Sequence, residues 1–267
     1  YNRMFQYLHL VQNTTASVGQ EFWVPSNQYI KPQRADQVAV GYFRNFMNNQ
    51  LEASVEVYYK DMNNTVEVID HADLDFTEAI ETQLVQGKGR AYGAEFLLRK
   101  PKGKLNGWIS YTLARSERKA EGINNSQWYA FRFDRRHYAT VVATYDYNDR
   151  WSFGANFIFA SGEAVTVPVG YYEVNNKRVP LYSDRNAFRM APYHRMDVSA
   201  TLYRKKVAGK TYKNESSWVF SIYNVYARKN WFSLGFQTET QNGQPVNVAI
   251  KSYLFQIVPS VTYNFKF

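Results

Sequence analysis

The feature that most constrains the fold is a regular alternation of apolar and polar residues along long segments of the chain. The apolar positions of segment 51–62 are Leu51, Ala53, Val55, Val57 and Tyr59. Because successive side chains of a β-strand point to opposite faces, this segment predicts a strand with one apolar and one polar face. The chain contains no run of about 18 apolar residues, which excludes a helical membrane span.

Nine segments carry this alternation, and together they predict an all-β, antiparallel architecture of about nine strands. The segments are 35–46, 51–62, 90–100, 104–116, 134–147, 150–161, 192–205, 215–227 and 255–267. Most of them have about ten or more residues, whereas strands of soluble sheets usually have five or six. Strands of this length can cross a bilayer at a tilt.

The connections between these segments alternate between short and long. The short connections are Met47-Asn48-Asn49, Pro101-Lys102-Gly103, Asn148-Asp149 and the somewhat longer 206–214, and the long ones are 63–89, 117–133, 162–191 and 228–251. Short periplasmic turns and long extracellular loops are typical of outer-membrane β-barrels. A soluble jelly roll or sandwich also alternates, but strand length combined with loop alternation favours the membrane barrel.

This alternation predicts one continuous architecture over residues 1–267. Residues 1–34 are expected to be mainly an outer loop, and 35–267 to hold the strands, the periplasmic turns and the extracellular loops. By the same parity the C-terminus is periplasmic. Nine strands cannot close an antiparallel barrel, which needs an even number. We therefore expect the C-terminal part of a larger up-and-down transmembrane barrel.

The polar face of several predicted strands carries charges of both signs, as expected of a water-filled lumen. The lumen-facing candidates are Glu52, Glu56, Lys60, Glu95, Arg99, Arg195 and Asp197. The net charge of +9 could indicate a nucleic-acid partner, but the cations are interleaved with acids and form no dense basic run. No nucleic-acid partner is expected.

The sequence gives little support for catalysis or metal binding. It has no cysteine, and its four histidines, His9, His71, His137 and His194, lie outside HExxH and GxSxG contexts. Asp70, Asp73 and Asp75 lack the spacing of a calcium loop. No catalytic residue, metal or cofactor is therefore expected. The alternative, a barrel hydrolase, requires a Ser/His or Asp/His pair within hydrogen-bond reach.

A series of short motifs resembles the TonB-dependent receptors, in particular the large group found in Bacteroidetes. In chain order they are Ile30-Lys31-Pro32-Gln33-Arg34-Ala35, Val40-Gly41-Tyr42, Val57-Tyr58-Tyr59-Lys60-Asp61-Met62, Tyr92-Gly93-Ala94-Glu95, Asp134-Arg135-Arg136-His137, Tyr193-His194-Arg195-Met196-Asp197, Asn224-Val225-Tyr226-Ala227-Arg228-Lys229-Asn230 and Asn264-Phe265-Lys266-Phe267. The motifs keep the family's order over nearly the whole chain.

The resemblance implies an outer-membrane receptor that imports a scarce nutrient such as an iron chelate, an oligosaccharide, a peptide or a cofactor. Its implied partners are outer-membrane lipid, an upstream plug and further barrel strands, the TonB complex, and a surface lipoprotein. The alternative is a non-transporting barrel that serves as a scaffold for surface lipoproteins. Phe267 resembles the signal read by the barrel-assembly machinery, and it could equally be a lipid-facing girdle residue.

Aromatic and cationic residues of the predicted outer loops are the candidates for ligand contact, because stacking, cation–π and forked hydrogen bonds capture polar solutes from water. The first group is Arg118, Trp128, Tyr129, Phe131 and Arg132, followed by Trp23, Tyr171, Tyr172, Tyr182 and Trp231. The alternative role of these rings is packing between loops or within an aromatic girdle.

Overall fold

The computed structural model describes residues 1–12, 21–70, 72, 79–175, 177–205, 214–241 and 244–266. These residues form one large antiparallel sheet and four small two-stranded sheets. Two short 3-10 helices, Ile80–Gln83 and Asn124–Ser126, lie in the connections. Across the described ranges we find no helix with the length and apolar character needed to span a bilayer.

The described residues contain nineteen strands. They are β1 Asn2–Gln6, β2 Leu8–Gln12, β3 Glu21–Pro25, β4 Gln33–Phe46, β5 Leu51–Val68, β6 Leu84–Lys100, β7 Leu105–Lys119, β8 Tyr129–Ala130, β9 His137–Asp146, β10 Trp151–Ala160, β11 Ala164–Val165, β12 Pro168–Val174, β13 Lys177–Tyr182, β14 Phe188–Arg189, β15 Tyr193–Tyr203, β16 Glu215–Tyr223, β17 Trp231–Gln241, β18 Gln244–Tyr253 and β19 Val258–Lys266.

The large sheet has the order β1-β4-β5-β6-β7-β9-β10-β15-β16-β19, and β8 pairs with β7 beside this path. The nine long strands of the path correspond to the nine predicted segments, so the all-β antiparallel prediction is confirmed. The short strand β1 pairs with β4 in a region expected to be mainly loop, and it brings the path to ten strands beside the nine predicted. The path is open, with β1 and β19 at its two ends.

Two of the predicted outer loops are shorter than expected because β5, β6 and β7 extend into 63–89 and 117–133. In β5 a β-bulge at Asn64, whose φ is 58°, shifts the phase of the alternation between Asn63 and Thr65. One face of β6 carries Gly87, Gly89 and Gly93, which have no side chain to show the alternation. A Cβ on Gly87 would lie 2.3 Å from the Lys119 carbonyl oxygen. A bulge and a missing side chain both conceal a strand from an alternation analysis.

The other long connections contain small hairpins rather than irregular loops. Strands β2 and β3 pair within 1–34, β12 pairs with β13 and β11 with β14 within 162–191, and β17 pairs with β18 within 228–251. Strand β9 begins at His137, three residues later than predicted, because Asp134 is buried and contacts the neighbouring loop. The long connections are therefore structured surfaces on which side chains hold defined positions.

Strand register places all seven predicted lumen-facing residues on one face of the large sheet, here called the polar face. A transverse row of directly paired residues consists of Glu52, Arg99, Trp108, Val142, Asn156 and Asp197. Alternate residues of a strand share a face, so Glu56, Lys60, Glu95 and Arg195 lie there too. The opposite face, here called the apolar face, carries exposed side chains such as Val40, Val57, Phe96, Phe153, Phe220 and Val261.

Candidate functional site

The ends of β5 and β7 far from the short turns carry an ionic cluster on the polar face. Arg118 Nε lies 3.8 Å from Glu67 Oε1, and Arg185 Nη1 lies 3.8 Å from Glu67 Oε2. Arg185 also donates from Nη1 to the Val68 carbonyl oxygen at 2.6 Å, and its Nη2 pairs with Asp70. Arg185 is only 4% exposed. A side chain from the 161–192 connection is thus buried against the end of β5.

Two asparagines fix the 161–192 connection to its neighbour. Asn124 Oδ1 accepts from the backbone N–H of Arg185 at 2.7 Å, and Asn124 Nδ2 donates to the carbonyl oxygen of the same residue at 3.0 Å. Asn186 Nδ2 donates to the Ala130 carbonyl oxygen at 2.9 Å. Three connections distant in sequence therefore meet at Arg185.

Beside this cluster lies a cavity of about 210 Å³. Its lining includes Gln6, His9, Glu67, Arg118, Phe131 and Arg132. The Arg118 guanidinium lies over the Phe131 ring at 4.4 Å from the centroid. Its Nε and Nη1 atoms are buried and form no hydrogen bond with any described residue. A buried guanidinium with spare donors can bind a carboxylate or another anionic group.

Burial shapes the electrostatics of the cluster. Glu67 lies 16 positions beyond Leu51, the first residue of β5 after the short turn. A tilted membrane crossing takes about 9–11 residues, so Glu67 lies outside it. Burial raises the pKa of its carboxyl group above the ordinary value, and the positive charges of Arg118 and Arg185 oppose that rise. Burial and the charge of Glu67 also raise the pKa of the Tyr129 phenol.

The cavity brings together Arg118, Phe131 and Arg132, three of the five residues in the first predicted group. The other two residues of that group, Tyr129 and Trp128, have other contacts. Tyr129 is buried against Ala120 and Ile123. Trp128 lies under the Arg90 guanidinium, with 4.3 Å between the guanidinium carbon and the ring centroid.

The second predicted group does not converge on this cavity. Trp23 is exposed on β3, Tyr171, Tyr172 and Tyr182 lie on the β12–β13 hairpin, and Trp231 begins β17. Lys251 Nζ lies 4.2 Å from the centroid of the Trp231 ring. These aromatics occupy separate hairpins.

Sequence reasoning did not select Glu67, Arg185, Asp134 or Arg189 as site residues. Asp134 is 1% exposed, accepts the Ser116 backbone N–H at 2.6 Å, and pairs with Arg189. The motif containing Asp134 could have signalled its role. Arg185 has no local signal, because its partners are 115 and 117 residues away.

The histidines bear on the hydrolase alternative. His9 Nε2 and Ser26 Oγ lie 2.9 Å apart, within the reach that this alternative requires. The contact joins the ends of β2 and β3, next to a backbone hydrogen bond from Ser26 N to Tyr7 O, so it also closes a hairpin. His137 and His194 each contact a tyrosine hydroxyl through Nδ1 at 2.8 Å. No group of three or more His, Cys, Asp or Glu suited to a metal occurs in the described part.

Residues of the 63–89 connection and the last residue of the chain were also singled out from the sequence. Asp70 is 45% exposed and pairs with Arg185. His71, Asp73, Asp75 and Phe267 lie outside the described residues.

A comparison with protein families matches residues 1–227 to the model described as TonB dependent receptor-like, beta-barrel. The chain belongs to this family. Family membership identifies it as part of an outer-membrane β-barrel receptor. No curated protein sequence matches the chain closely enough to be a relative.

Solved structures of three bacterial receptors and transporters share the fold of this chain. The ferric-catecholate import receptor Fiu from E. coli K12 is 14% identical with a TM-score of 0.51, covering 89% of this chain and 29% of Fiu. The ferripyoverdine receptor of Pseudomonas aeruginosa is 12% identical with a TM-score of 0.56, covering 89% and 28%. The FrpB iron transporter from Neisseria meningitidis is 11% identical with a TM-score of 0.51, covering 89% and 32%. The chain thus spans less than a third of the length of these receptors.

Proposed function

We propose that the chain forms wall, outer loops and lumen surface in the C-terminal part of a receptor that imports a scarce nutrient with energy from the TonB complex. The observation that carries this proposal is the family match over residues 1–227 on a sheet with one polar and one apolar face. The motif order described above further suggests the Bacteroidetes type. An upstream plug and further strands of the same protein would complete the barrel.

The two faces define how this wall would sit in the membrane. The polar face, with its seven charged candidates, lines the lumen, and the apolar face contacts outer-membrane lipid. The short turns and the C-terminus face the periplasm, which puts the Arg185 cluster at the extracellular end. A surface lipoprotein is a further proposed partner at this end, where the structured hairpins offer a contact surface.

The cavity beside Glu67 supports a ligand-contact role for Arg118, Phe131 and Arg132. The spare guanidinium donors of Arg118 suit an anionic or carbonyl oxygen, and the adjacent ring suits an apolar or planar group. A ferric chelate, an oligosaccharide, a peptide and an organic cofactor each offer such groups. The aromatics of the separate hairpins are proposed as secondary contacts during capture.

Uptake by a strain lacking the gene and complemented with the full-length protein tests this proposal. Candidate nutrients of the four classes are supplied as growth-limiting sources, with and without a functional TonB complex. We expect growth on one class to require both the protein and the complex. Growth that requires the protein but not the complex would contradict TonB-energised import, and no growth on any class would favour the scaffold alternative.

The ligand-contact role is tested by Arg118→Met, with Arg150→Met in a short turn as the matched control. A charged hydrogen bond contributes roughly 1.5–3 kcal/mol, so Arg118→Met should weaken ligand affinity about tenfold to a hundredfold. The control should bind the nutrient normally. Equal affinity of Arg118→Met and wild type would exclude this cavity as the contact site.

A further inference from the structure

Beyond its apolar band, the apolar face of the sheet carries rows of charged side chains. Tyr59 and Tyr92 pair directly and stack at 6.1 Å between ring centroids. The next transverse row lies two residues further from the short turns. It consists of Asp36, Asp61, Arg90 and Glu117, paired in that order. Arg3 contacts Asp36 at 2.6 Å, and Glu117 is contacted by Arg90 at 2.7 Å and by Arg115 at 2.6 Å.

The following transverse row contains three cations and no acid. It consists of Arg34, Asn63, Lys88 and Lys119, paired in that order. Arg34, Lys88 and Lys119 are here called the cationic row. Arg34 reaches Asp36 of the previous row at 3.3 Å. Neither lysine forms a salt bridge with an acid in the described part of the chain.

Lys88 and Lys119 are direct cross-strand partners on β6 and β7. Directly opposed residues have Cβ atoms about 4.5–5.5 Å apart, and like charges in such positions destabilise a sheet. The repulsion disappears when an anion lies between the two ammonium groups. The pairing therefore carries a cost that an anionic ligand would remove.

The depth of the cationic row indicates where this anion comes from. Asn63 is four positions beyond Tyr59 on β5. Four positions span about 13 Å along a strand and about 9 Å along the membrane normal at a 45° tilt. Aromatic pairs such as Tyr59 and Tyr92 mark the membrane interface. Headgroups extend the bilayer by several Å beyond its hydrocarbon core. The cationic row thus lies beyond the aromatic pair, on the headgroup side of the apolar band.

The row is also covered on its outer side. Gln86, two residues from Lys88 on the same face, donates from Nε2 to the Lys31 carbonyl oxygen at 2.9 Å. Val66, the partner of Gln86, packs against a core formed by Val24 and Ile30. The segment containing Lys31 therefore contacts the row next to the cationic row, on the side away from the short turns.

We propose that the cationic row binds the phosphate of an outer-leaflet glycolipid headgroup, with Lys88 and Lys119 holding the phosphate between them. Arg90 lies in the adjacent row, and its guanidinium, stacked on the Trp128 ring, supplies a planar surface beside the phosphate. The bound lipid would seal the barrel wall to the leaflet. This site faces away from the lumen and does not depend on which nutrient is imported.

Native mass spectrometry of the full-length protein in detergent tests the site with three probes: diphosphoryl lipid A, fully dephosphorylated lipid A and inorganic phosphate. The variant is Lys88→Gln with Lys119→Gln. The matched control is Lys102→Gln with Lys104→Gln, which removes two lysines from the short turn between the same two strands. At about a factor of five per lysine, the variant should bind diphosphoryl lipid A roughly thirtyfold more weakly than wild type.

We expect the control to bind like wild type, and dephosphorylated lipid A to bind weakly to all three proteins. The variant should also be at least as resistant to thermal unfolding as wild type in lipid-free detergent, because the opposed charges are gone. Equal affinity of variant and wild type, equal binding of dephosphorylated lipid, or displacement of the lipid by millimolar phosphate would each overturn the proposal. Loss of binding in the control alone would overturn it too, since the lipid site would then lie at the opposite rim.

Discussion

Replacing Arg185 with methionine is the most informative test of how the outer connections are held. The Arg185 side chain is 3% exposed and interacts with Glu67, which is 11% exposed, and with Asp70, which is 45% exposed. The substitution leaves the Glu67 carboxylate and the Val68 carbonyl oxygen without their cationic donor. The half-exposed Asp70 contributes little, because water screens its pair.

Breaking a buried pair by removing one partner costs about 3–5 kcal/mol. At 1.4 kcal/mol per factor of ten, local opening of the connections should rise on the order of 10²- to 10³-fold. Hydrogen–deuterium exchange with mass spectrometry on the full-length protein in detergent measures this directly. The expected increase is confined to residues 120–130, 161–192 and the end of β5.

A double-mutant cycle adds a control for the specific pairing. Glu67→Gln combined with Arg185→Met removes both charges, and loss of both partners costs less than loss of one. We expect the double variant to exchange more slowly than Arg185→Met alone. Unchanged exchange in Arg185→Met, or additive effects in the double variant, would refute the idea that this ion pair holds three connections together.

Four further changes have defined outcomes. Asp134→Ala should loosen the start of β9 by about 1–3 kcal/mol, because a backbone N–H loses its buried acceptor, and amide exchange at residues 114–118 checks this. Gly107→Val should lower the unfolding temperature seen by gel mobility, since Gly107 has φ 150° and a Cβ there would lie 2.1 Å from the Val142 carbonyl oxygen. Burial lowers the pKa of His9, so the unfolded hairpin binds more protons below about pH 6.5, and the β2–β3 hairpin should lose stability as the pH falls through that value. This acid sensitivity should vanish in His9→Gln. Ser26→Ala should leave nutrient uptake intact, and loss of a hydrolytic activity in that variant would instead support the hydrolase alternative.

Residues in regular alternation allowed the fold to be predicted from sequence. The charged residues from Glu52 to Asp197 were assigned to one face because a strand alternates strictly, and the strand register places them on a common face. Prediction failed where alternation is hidden. The bulge at Asn64 and the glycines of β6 concealed the outer halves of two strands, and β1 has only five residues.

The candidate site was only partly predictable for a different physical reason. Arg118, Phe131 and Arg132 were selected for their chemistry, and they share a cavity. Arg185 contacts residues more than 100 positions away, and no local pattern encodes that contact. Tyr129 has the chemistry of a ligand contact, yet it is buried within a loop core. The type of a residue indicates what its side chain can bind, whereas tertiary packing decides whether a ligand can reach that side chain.

Site-directed spin labelling at two adjacent positions of β5 tests the central claim most directly. Cysteines are introduced at Glu56 and at Val57 in the full-length protein, labelled with a nitroxide, and studied in lipid bilayers. The account predicts that the Val57 label collides mainly with molecular oxygen dissolved in lipid, and that the Glu56 label collides mainly with a water-soluble nickel complex. Equal accessibility to both reagents at the two positions, or the reverse order, would contradict a wall with one face in lipid and the other in water.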